Sequence, residues 1–169
     1  MGRGWGDGRF GRYGAGVLTR LGTLLIAPAL AAAVLVLPPP AQAATPAKEY
    51  AAQAFATTNK VRANHDRARL KQGACLRKAA ARQAAAMAEQ ERIFHQDLTP
   101  LLESCGLSMV GENVASGYPT GKAVVRQGWM TSPGHRANIL RKGYTRMGIA
   151  ARKSGGAWYV AQVFGRPAA

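Results

Sequence analysis

Residues 146–164 read RMGIAARKSGGAWYVAQVF, and this stretch near the carboxyl end decides the fold class. It contains two short β-like runs, Arg146 to Ala151 and Ala157 to Phe164. Branched and aromatic side chains, which favour strands, recur in the second run, and Ile149 is the branched residue of the first. Between them, Lys153-Ser154-Gly155-Gly156 has the composition of a hairpin turn. We therefore predict that the chain ends in a pair of antiparallel strands.

The part of the chain before this hairpin has the pattern of helices, because apolar side chains recur in it at helical spacing. Proline also stands where the first helical residue is expected, after Thr45 and after Ser132. The predicted elements are helices over residues 46–66 and 75–92, a third from Gly121, a short one from Ser132-Pro133 to about Leu140, an irregular segment over 94–109 with a helical turn near Leu101, and a short strand over 110–115. Helices followed by a hairpin predict an α+β domain, in which helices cover an antiparallel sheet.

Residues 1–43 have the three parts of a secretory signal peptide. A glycine-rich start with four arginines precedes an uncharged apolar run from Leu21 to Leu37, and Ala41-Gln42-Ala43 offers a small-x-small cleavage site. We predict export with cleavage near Ala43, a short exit segment over residues 44–47, and one domain over 48–169 without a transmembrane segment. The alternative is an uncleaved anchor, although a run broken by Pro28 is marginal for crossing a bilayer.

The chain is strongly basic, with 23 Lys and Arg against 8 Asp and Glu and a formal net charge of +15. Such a charge favours polyanionic surroundings, and for an exported chain an anionic wall polymer or a lipid is the expected class. The preferred interpretation, however, is that arginine is simply the usual surface residue of this Ala-, Arg- and Gly-rich chain, since charge alone does not identify a ligand. Nucleic acid is not expected, because the chain has neither the aromatic-interleaved basic strands of an RNA-binding sheet nor zinc-finger spacing. It has no phosphate-binding glycine motif for nucleotides either.

Two cysteines, Cys75 and Cys105, are present. Because an exported chain meets oxidising conditions, we predict a disulfide between them. The alternatives are a reactive thiol or a metal ligand. Neither cysteine has a second Cys or a His at ligand spacing, so the bridge is the preferred interpretation.

Three side chains are candidates for chemistry. His95 follows the second predicted helix, Glu112 lies in a mostly apolar stretch, and His135 lies in the first turn after Ser132-Pro133. The helix N-terminus disfavours a charged imidazole at His135, and a buried Glu112 needs partners. Two histidines and a glutamate suit zinc with open coordination positions. Because they are far apart in sequence, separate structural roles remain the alternative. The chain lacks the HExxH helix of metalloproteases, and Ser132 is better explained as a helix cap than as a nucleophile.

Several strings, in this order along the chain, resemble the CAP superfamily of SCP-like secreted proteins, in its compact bacterial form. They are Asn59-Lys60-Val61-Arg62, Ala86-Met87-Ala88 with Phe94-His95, Gly111-Glu112-Asn113-Val114-Ala115, Trp129-Met130-Thr131-Ser132-Pro133-Gly134-His135-Arg136-Ala137-Asn138-Ile139-Leu140, Met147-Gly148-Ile149-Ala150, and Trp158-Tyr159-Val160-Ala161-Gln162-Val163-Phe164-Gly165. They cover residues 48–165, which is nearly the whole predicted mature chain. The resemblance implies an α-β-α sandwich, with a small antiparallel sheet between helical layers.

The resemblance also implies a shallow cleft, which in the family is often lined by two histidines and two acids. His95 and Glu112 match two of these positions, and His135 matches the histidine of the bacterial form. Ser132 stands where the fourth group would be an acid. The remaining cleft candidates are Asn113 and Arg136.

From these observations we predict a secreted CAP-type domain that is not catalytic. It would bind an extracellular ligand, which is a lipid, a wall component or a protein, at a cleft with His95, Glu112 and His135. The alternative is a zinc-assisted hydrolase that uses the same three residues, with zinc as its cofactor. The serine in the fourth position weakens this alternative, because it removes one ligand or base.

Overall fold

The computed structural model describes residues 45–169, so the predicted signal peptide over residues 1–43 lies outside the described part. The elements are α1 (Pro46–Ala63), β1 (Lys71–Gln72), α2 (Ala74–Glu89), α3 (Thr99–Ser104), β2 (Leu107–Ser116), α4 (Gly121–Ala123), α5 (Pro133–Leu140), β3 (Arg146–Ser154) and β4 (Ala157–Pro167). After α4 the chain continues through a π-helical turn, Val124–Gly128, and a 3-10 turn, Trp129–Thr131.

The strands form one sheet with the order β1-β3-β4-β2. The predicted hairpin is confirmed: β3 pairs antiparallel with β4, and the turn places Gly155 and Gly156 at positive φ, where glycine is favoured. β2 pairs antiparallel with the other side of β4. β1 was not predicted. It is a strand of two residues that pairs in parallel with β3.

Helices cover both faces of the sheet, because the central strand β4 has apolar side chains on both sides. Val160 and Phe164 belong to a buried cluster on the face of α1, α5 and Trp129. Ala161 and Val163 belong to a second buried cluster with α2 and α3. Successive side chains of a strand point to opposite faces, so a continuous apolar run fits a strand covered on both sides. The predicted α-β-α sandwich is confirmed.

Three helix predictions need correction at their ends. α1 ends at Ala63 rather than residue 66, and α2 spans Ala74–Glu89 rather than 75–92. The third predicted helix is α-helical for only three residues before it becomes the π-helical and 3-10 turns. Ser132 precedes α5 as predicted, but its side chain makes no capping hydrogen bond. Pro133 therefore marks this helix start without help from the hydroxyl.

Side chains from α5 and its surroundings cover the outer edge of β2. The carbonyls of Val110, Glu112 and Val114 point away from β4 in this register. Each accepts one hydrogen bond: from the Tyr144 hydroxyl (3.2 Å), the Asn138 amide (3.0 Å) and the Trp129 indole (3.3 Å), respectively. The outer edge of β2 is thus held by three side-chain donors.

An open cavity of about 430 Å³ lies towards the other edge of the sheet, away from β2. It lies between α1, α2 and β3, and alanines form most of its lining, with Phe55 and Ile149. Lys48 and Arg77 are its basic lining residues. Among residues 45–169, no helix is both long and apolar enough to span a bilayer.

The predicted disulfide between Cys75 and Cys105 is present, with the Cα atoms 5.8 Å apart. It joins the first turn of α2 to the residue after α3, so it ties together two helices of one layer. The bridge closes a loop across a sequence separation of 30 residues.

Replacing both cysteines, Cys75→Ser with Cys105→Ser, should lower the free energy of unfolding by about 3 kcal/mol, because the unfolded chain regains the entropy of this loop. Urea denaturation of the oxidised protein, the reduced protein and the double variant measures it. The reduced protein and the double variant should agree. Equal stability of all three proteins would show that the bridge contributes nothing.

Candidate functional site

Glu112 is the centre of the site and is almost fully buried, with its side chain 1% exposed. Its Oε1 atom accepts hydrogen bonds from Nδ1 of His95 (2.8 Å) and from the backbone N–H of Gln96 (3.3 Å). Its Oε2 atom accepts one from the side-chain amide of Gln96. A buried carboxylate needs such partners, and the segment after α2 provides all of them.

His95 is held by this carboxylate but remains accessible, with its side chain 58% exposed. Because Nδ1 donates to Glu112, the neutral ring carries its proton there, and Nε2 is left as an acceptor. The carboxylate therefore sets both the orientation and the tautomer of an exposed imidazole. This is the arrangement by which a buried acid prepares a histidine to receive a ligand.

The neighbouring residue, Asn113, is fully buried on the other face of the sheet. Its side-chain N–H donors reach the backbone carbonyl of His135 (3.2 Å) and Oε1 of Gln162 (3.1 Å). Its Oδ1 atom accepts from the amide of Asn138 (3.0 Å). Gln162 continues the network by donating to the Thr58 hydroxyl in α1 (2.9 Å).

The dipeptide Glu112-Asn113 thus positions the segments of both histidines. Because adjacent side chains of a strand point to opposite faces, Glu112 contacts the segment of His95 while Asn113 contacts the backbone of His135. β2 is an edge strand, so segments from both helical layers reach it at one border of the sheet. Two segments that lie 17 and 22 residues away from these strand residues are in this way both held at β2.

His135 lies in the first turn of α5 and is half-buried. Burial lowers the pKa of His135, and the nearby His95 lowers this pKa further. The direction agrees with the sequence-based expectation of a neutral imidazole. The structure therefore places His135 within electrostatic reach of His95, and it favours the uncharged ring at neutral pH.

The three cleft candidates have different surroundings. Arg136 is exposed beside His135. Ser132 is half-buried immediately before α5. Asn113 differs from the expectation of a cleft residue, because it is fully buried and its amide is used within the protein. Asn113 therefore helps to position the site, and its side chain is not accessible to a ligand.

The fit of a metal to these residues is poor. Within residues 45–169, no group of three or more His, Cys, Asp or Glu side chains is arranged to hold a metal ion. Both carboxylate oxygens of Glu112 already accept hydrogen bonds. In the same part of the chain, no buried side-chain nitrogen or oxygen lacks a partner. Zinc binding by His95, Glu112 and His135 therefore stays a prediction. In the described residues these three side chains are not arranged as a three-ligand metal centre.

Two residues of the site, Gln96 and Gln162, were not predicted from the sequence. Gln96 supplies two of the three donors to Glu112, and its position directly after His95 was the available signal. Gln162 is a polar residue in the apolar run of β4, and a polar side chain in a strand covered on both faces needs a buried partner. Asn138 of α5 donates to the backbone carbonyl of Glu112 and to Oδ1 of Asn113, so it joins α5 to β2.

The sequence model of the cysteine-rich secretory protein family, CAP, matches residues 55–164. Protein YkwD of Bacillus subtilis is 36% identical over 90 residues, which cover 49% of this chain and 35% of YkwD. The chain thus spans about a third of the length of this curated relative.

Two solved structures share the fold. An extracellular protein containing an SCP domain from Bacillus anthracis superposes with a TM-score of 0.65 and 25% identity, covering 75% of this chain and 45% of that protein. An outer surface protein from Borrelia burgdorferi superposes with a TM-score of 0.60 and 21% identity, covering 68% of this chain and 90% of that protein. At 21% identity, the similarity to the Borrelia burgdorferi protein concerns the fold alone.

Proposed function

Because the chain belongs to the cysteine-rich secretory protein (CAP) family, we propose that it acts outside the cell as a binding domain without catalysis. Its ligand contacts the exposed imidazole of His95 and the neighbouring surface of His135. The single observation that supports this proposal is the hydrogen bonding of Glu112. Since both of its carboxylate oxygens are used inside the protein, Glu112 holds His95 in place and is not free to activate a water molecule.

The chemistry of this surface favours a polar ligand. Nε2 of His95 accepts hydrogen bonds when the ring is neutral, and Arg136 adds an exposed cation beside His135. Hydroxyl and carboxylate groups are natural partners for these side chains. The apolar cavity of about 430 Å³ does not include any of them. Of the ligand classes expected from the sequence, a wall glycan that carries hydroxyls and carboxylates therefore fits this site better than an acyl chain.

We expect soluble wall-glycan fragments with N-acetyl and carboxylate groups to bind saturably and to shift the amide NMR signals of His95, Gln96 and His135. The double variant His95→Ala/His135→Ala should bind at least about tenfold more weakly, because two hydrogen-bonding groups are lost. His65→Ala is the matched control. Like His135, His65 is a half-buried histidine, and its ring is hydrogen-bonded to the carbonyl of Val61 in α1.

Two results would contradict this proposal. One is fragment binding that the double variant retains at full strength. The other is the absence of saturable binding together with turnover of a peptide or ester that a chelator abolishes and zinc restores. The second result would support the zinc-assisted hydrolase instead.

A further inference from the structure

Two loops at one end of the domain carry six basic side chains. Arg67, Arg69 and Lys71 follow α1, while Arg141, Lys142 and Arg146 lie between α5 and the start of β3. We call these six residues the basic pole. Five of them are exposed and Arg67 is half-buried. Asp66 is the one acidic residue of residues 65–72 and 141–146.

The fold holds the two loops side by side. Lys71 is the register partner of Arg146 in the parallel β1–β3 pair, and its N–H donates to the carbonyl of Thr145 (3.0 Å). Nε of Arg67 donates to the carbonyl of Leu140 (3.0 Å). The segments that carry the six residues therefore lie side by side at this end of the domain, although some 70 residues separate them in sequence.

Carboxylates do not neutralise these charges. Within residues 45–169, the single contact of 4 Å or less between a basic and an acidic side chain joins His95 to Glu112. Lys71 and Arg146 even lie next to each other across a strand pair, and like charges in such positions are destabilising. A surface that concentrates unpaired positive charge raises the local concentration of anions and lowers its own repulsion when an anion binds.

We propose that the basic pole is a binding site for a linear polyanion with repeating phosphate groups, separate from the histidine site. A ligand that contacts all six cations needs several linked anionic groups, because the cations are spread over two adjacent loops. A bilayer surface is disfavoured, because the exposed large apolar side chains of the described chain are Ile93 and Leu102, both outside these loops. A single-stranded nucleic acid is disfavoured, because the pole exposes no aromatic ring on which bases stack.

The experiment uses long-chain inorganic polyphosphate as the probe, with the domain over residues 44–169 and fluorescence anisotropy or calorimetry in 50 mM NaCl. We expect binding that weakens on the order of 100-fold between 50 and 200 mM NaCl, because counterions are released at each phosphate contact. Orthophosphate at the same phosphate concentration should not compete. The variant Arg69→Gln/Lys71→Gln/Arg146→Gln should bind at least about tenfold more weakly and with a shallower salt dependence.

The matched control is Lys78→Gln/Arg82→Gln/Arg126→Gln, which removes the same net charge from exposed positions outside the pole. It should stay within about threefold of the unmodified domain. None of the six substituted residues makes a side-chain hydrogen bond within the described chain, so both triple variants should fold.

Three outcomes would overturn the proposal. Equal losses in the two triple variants would show that the overall net charge, and not the pole, attracts the polymer. Tighter binding to vesicles of phosphatidylglycerol than to polyphosphate, at equal accessible phosphate, would identify a membrane as the partner. Binding of polyphosphate that is undetectable in 50 mM NaCl would remove the site altogether. Because the histidine site is not involved, failure here leaves the proposed glycan site untested by this experiment, and His95→Ala should bind polyphosphate normally.

Discussion

Arg62→Ala should lower the free energy of unfolding by about 3–5 kcal/mol, because it removes a buried charge that satisfies three backbone carbonyls. The Arg62 side chain is 1% exposed. Its Nε donates to the carbonyl of Ala68 (2.8 Å), and its Nη1 donates to those of Ile139 (2.6 Å) and Arg141 (3.1 Å). The last two carbonyls lie at the end of α5, where backbone acceptors have no partner within the helix.

Burial, and secondarily Arg67, lower the pKa of Arg62, which still remains charged at neutral pH because a guanidinium ordinarily titrates far above this range. The substitution should therefore lower stability across the usual pH range. Arg62→Lys should be only partly tolerated, because an ammonium cannot reproduce the fixed geometry of a guanidinium that serves three acceptors.

Arg67→Ala is the matched control, and urea denaturation at pH 7 is the measurement. Arg67 also bonds to the end of α5, through the carbonyl of Leu140, but it is half-buried and its side chain contacts water. Its loss should cost about 1 kcal/mol or less. If Arg62→Ala were no more destabilising than Arg67→Ala, the three buried hydrogen bonds would not have the role assigned to them.

Gly148→Ala should cost about 4 kcal/mol or more, because β3 and α2 touch through backbone at this position. A Cβ atom on Gly148 would lie 2.1 Å from the backbone N of Arg77 and 2.3 Å from the carbonyl carbon of Leu76. Neither atom belongs to a flexible side chain, so the helix must move away from the sheet. The cluster that α2 shares with Ala161 and Val163 would then lose its packing.

The control for this substitution is Gly134→Ala in α5, where an added Cβ has no atom within 4 Å. Alanine favours helices over glycine, so this variant should be as stable as the unmodified domain or slightly more stable. Far-UV circular dichroism and urea midpoints distinguish the two variants. A midpoint for Gly148→Ala within about 0.3 M of the unmodified protein would contradict the prediction, since urea midpoints scale with stability.

The sequence predicted the local features that depend on few residues. The start of α5 at Pro133 and the hairpin turn with Gly155 and Gly156 both follow from backbone preferences of single residues, and both are present. The strand β1 was missed, because two residues carry no periodicity and their pairing depends on β3, more than 70 residues later. The π-helical turn after α4 was also missed, since it departs from the spacing that identifies a helix.

The site was only partly accessible from the sequence for a similar reason. The need of Glu112 for partners follows from a carboxylate in an apolar stretch, and the resemblance to the CAP superfamily singled out His95. The opposite roles of Glu112 and Asn113 depend on β2 being an edge strand between two layers, which requires the strand order. Sequence spacing alone cannot show that Glu112 contacts the segment of His95 while Asn113 contacts the backbone of His135.

The three donors along β2 also restrict how copies of this domain can associate. An uncovered strand border invites another polypeptide to extend the sheet, which is the usual first step towards aggregation and strand exchange. Here the outward carbonyls of Val110, Glu112 and Val114 are already occupied by side chains of the same molecule. A second copy would have to displace an indole, an amide and a phenol to add a strand there. The domain is thus protected against polymerisation through this border.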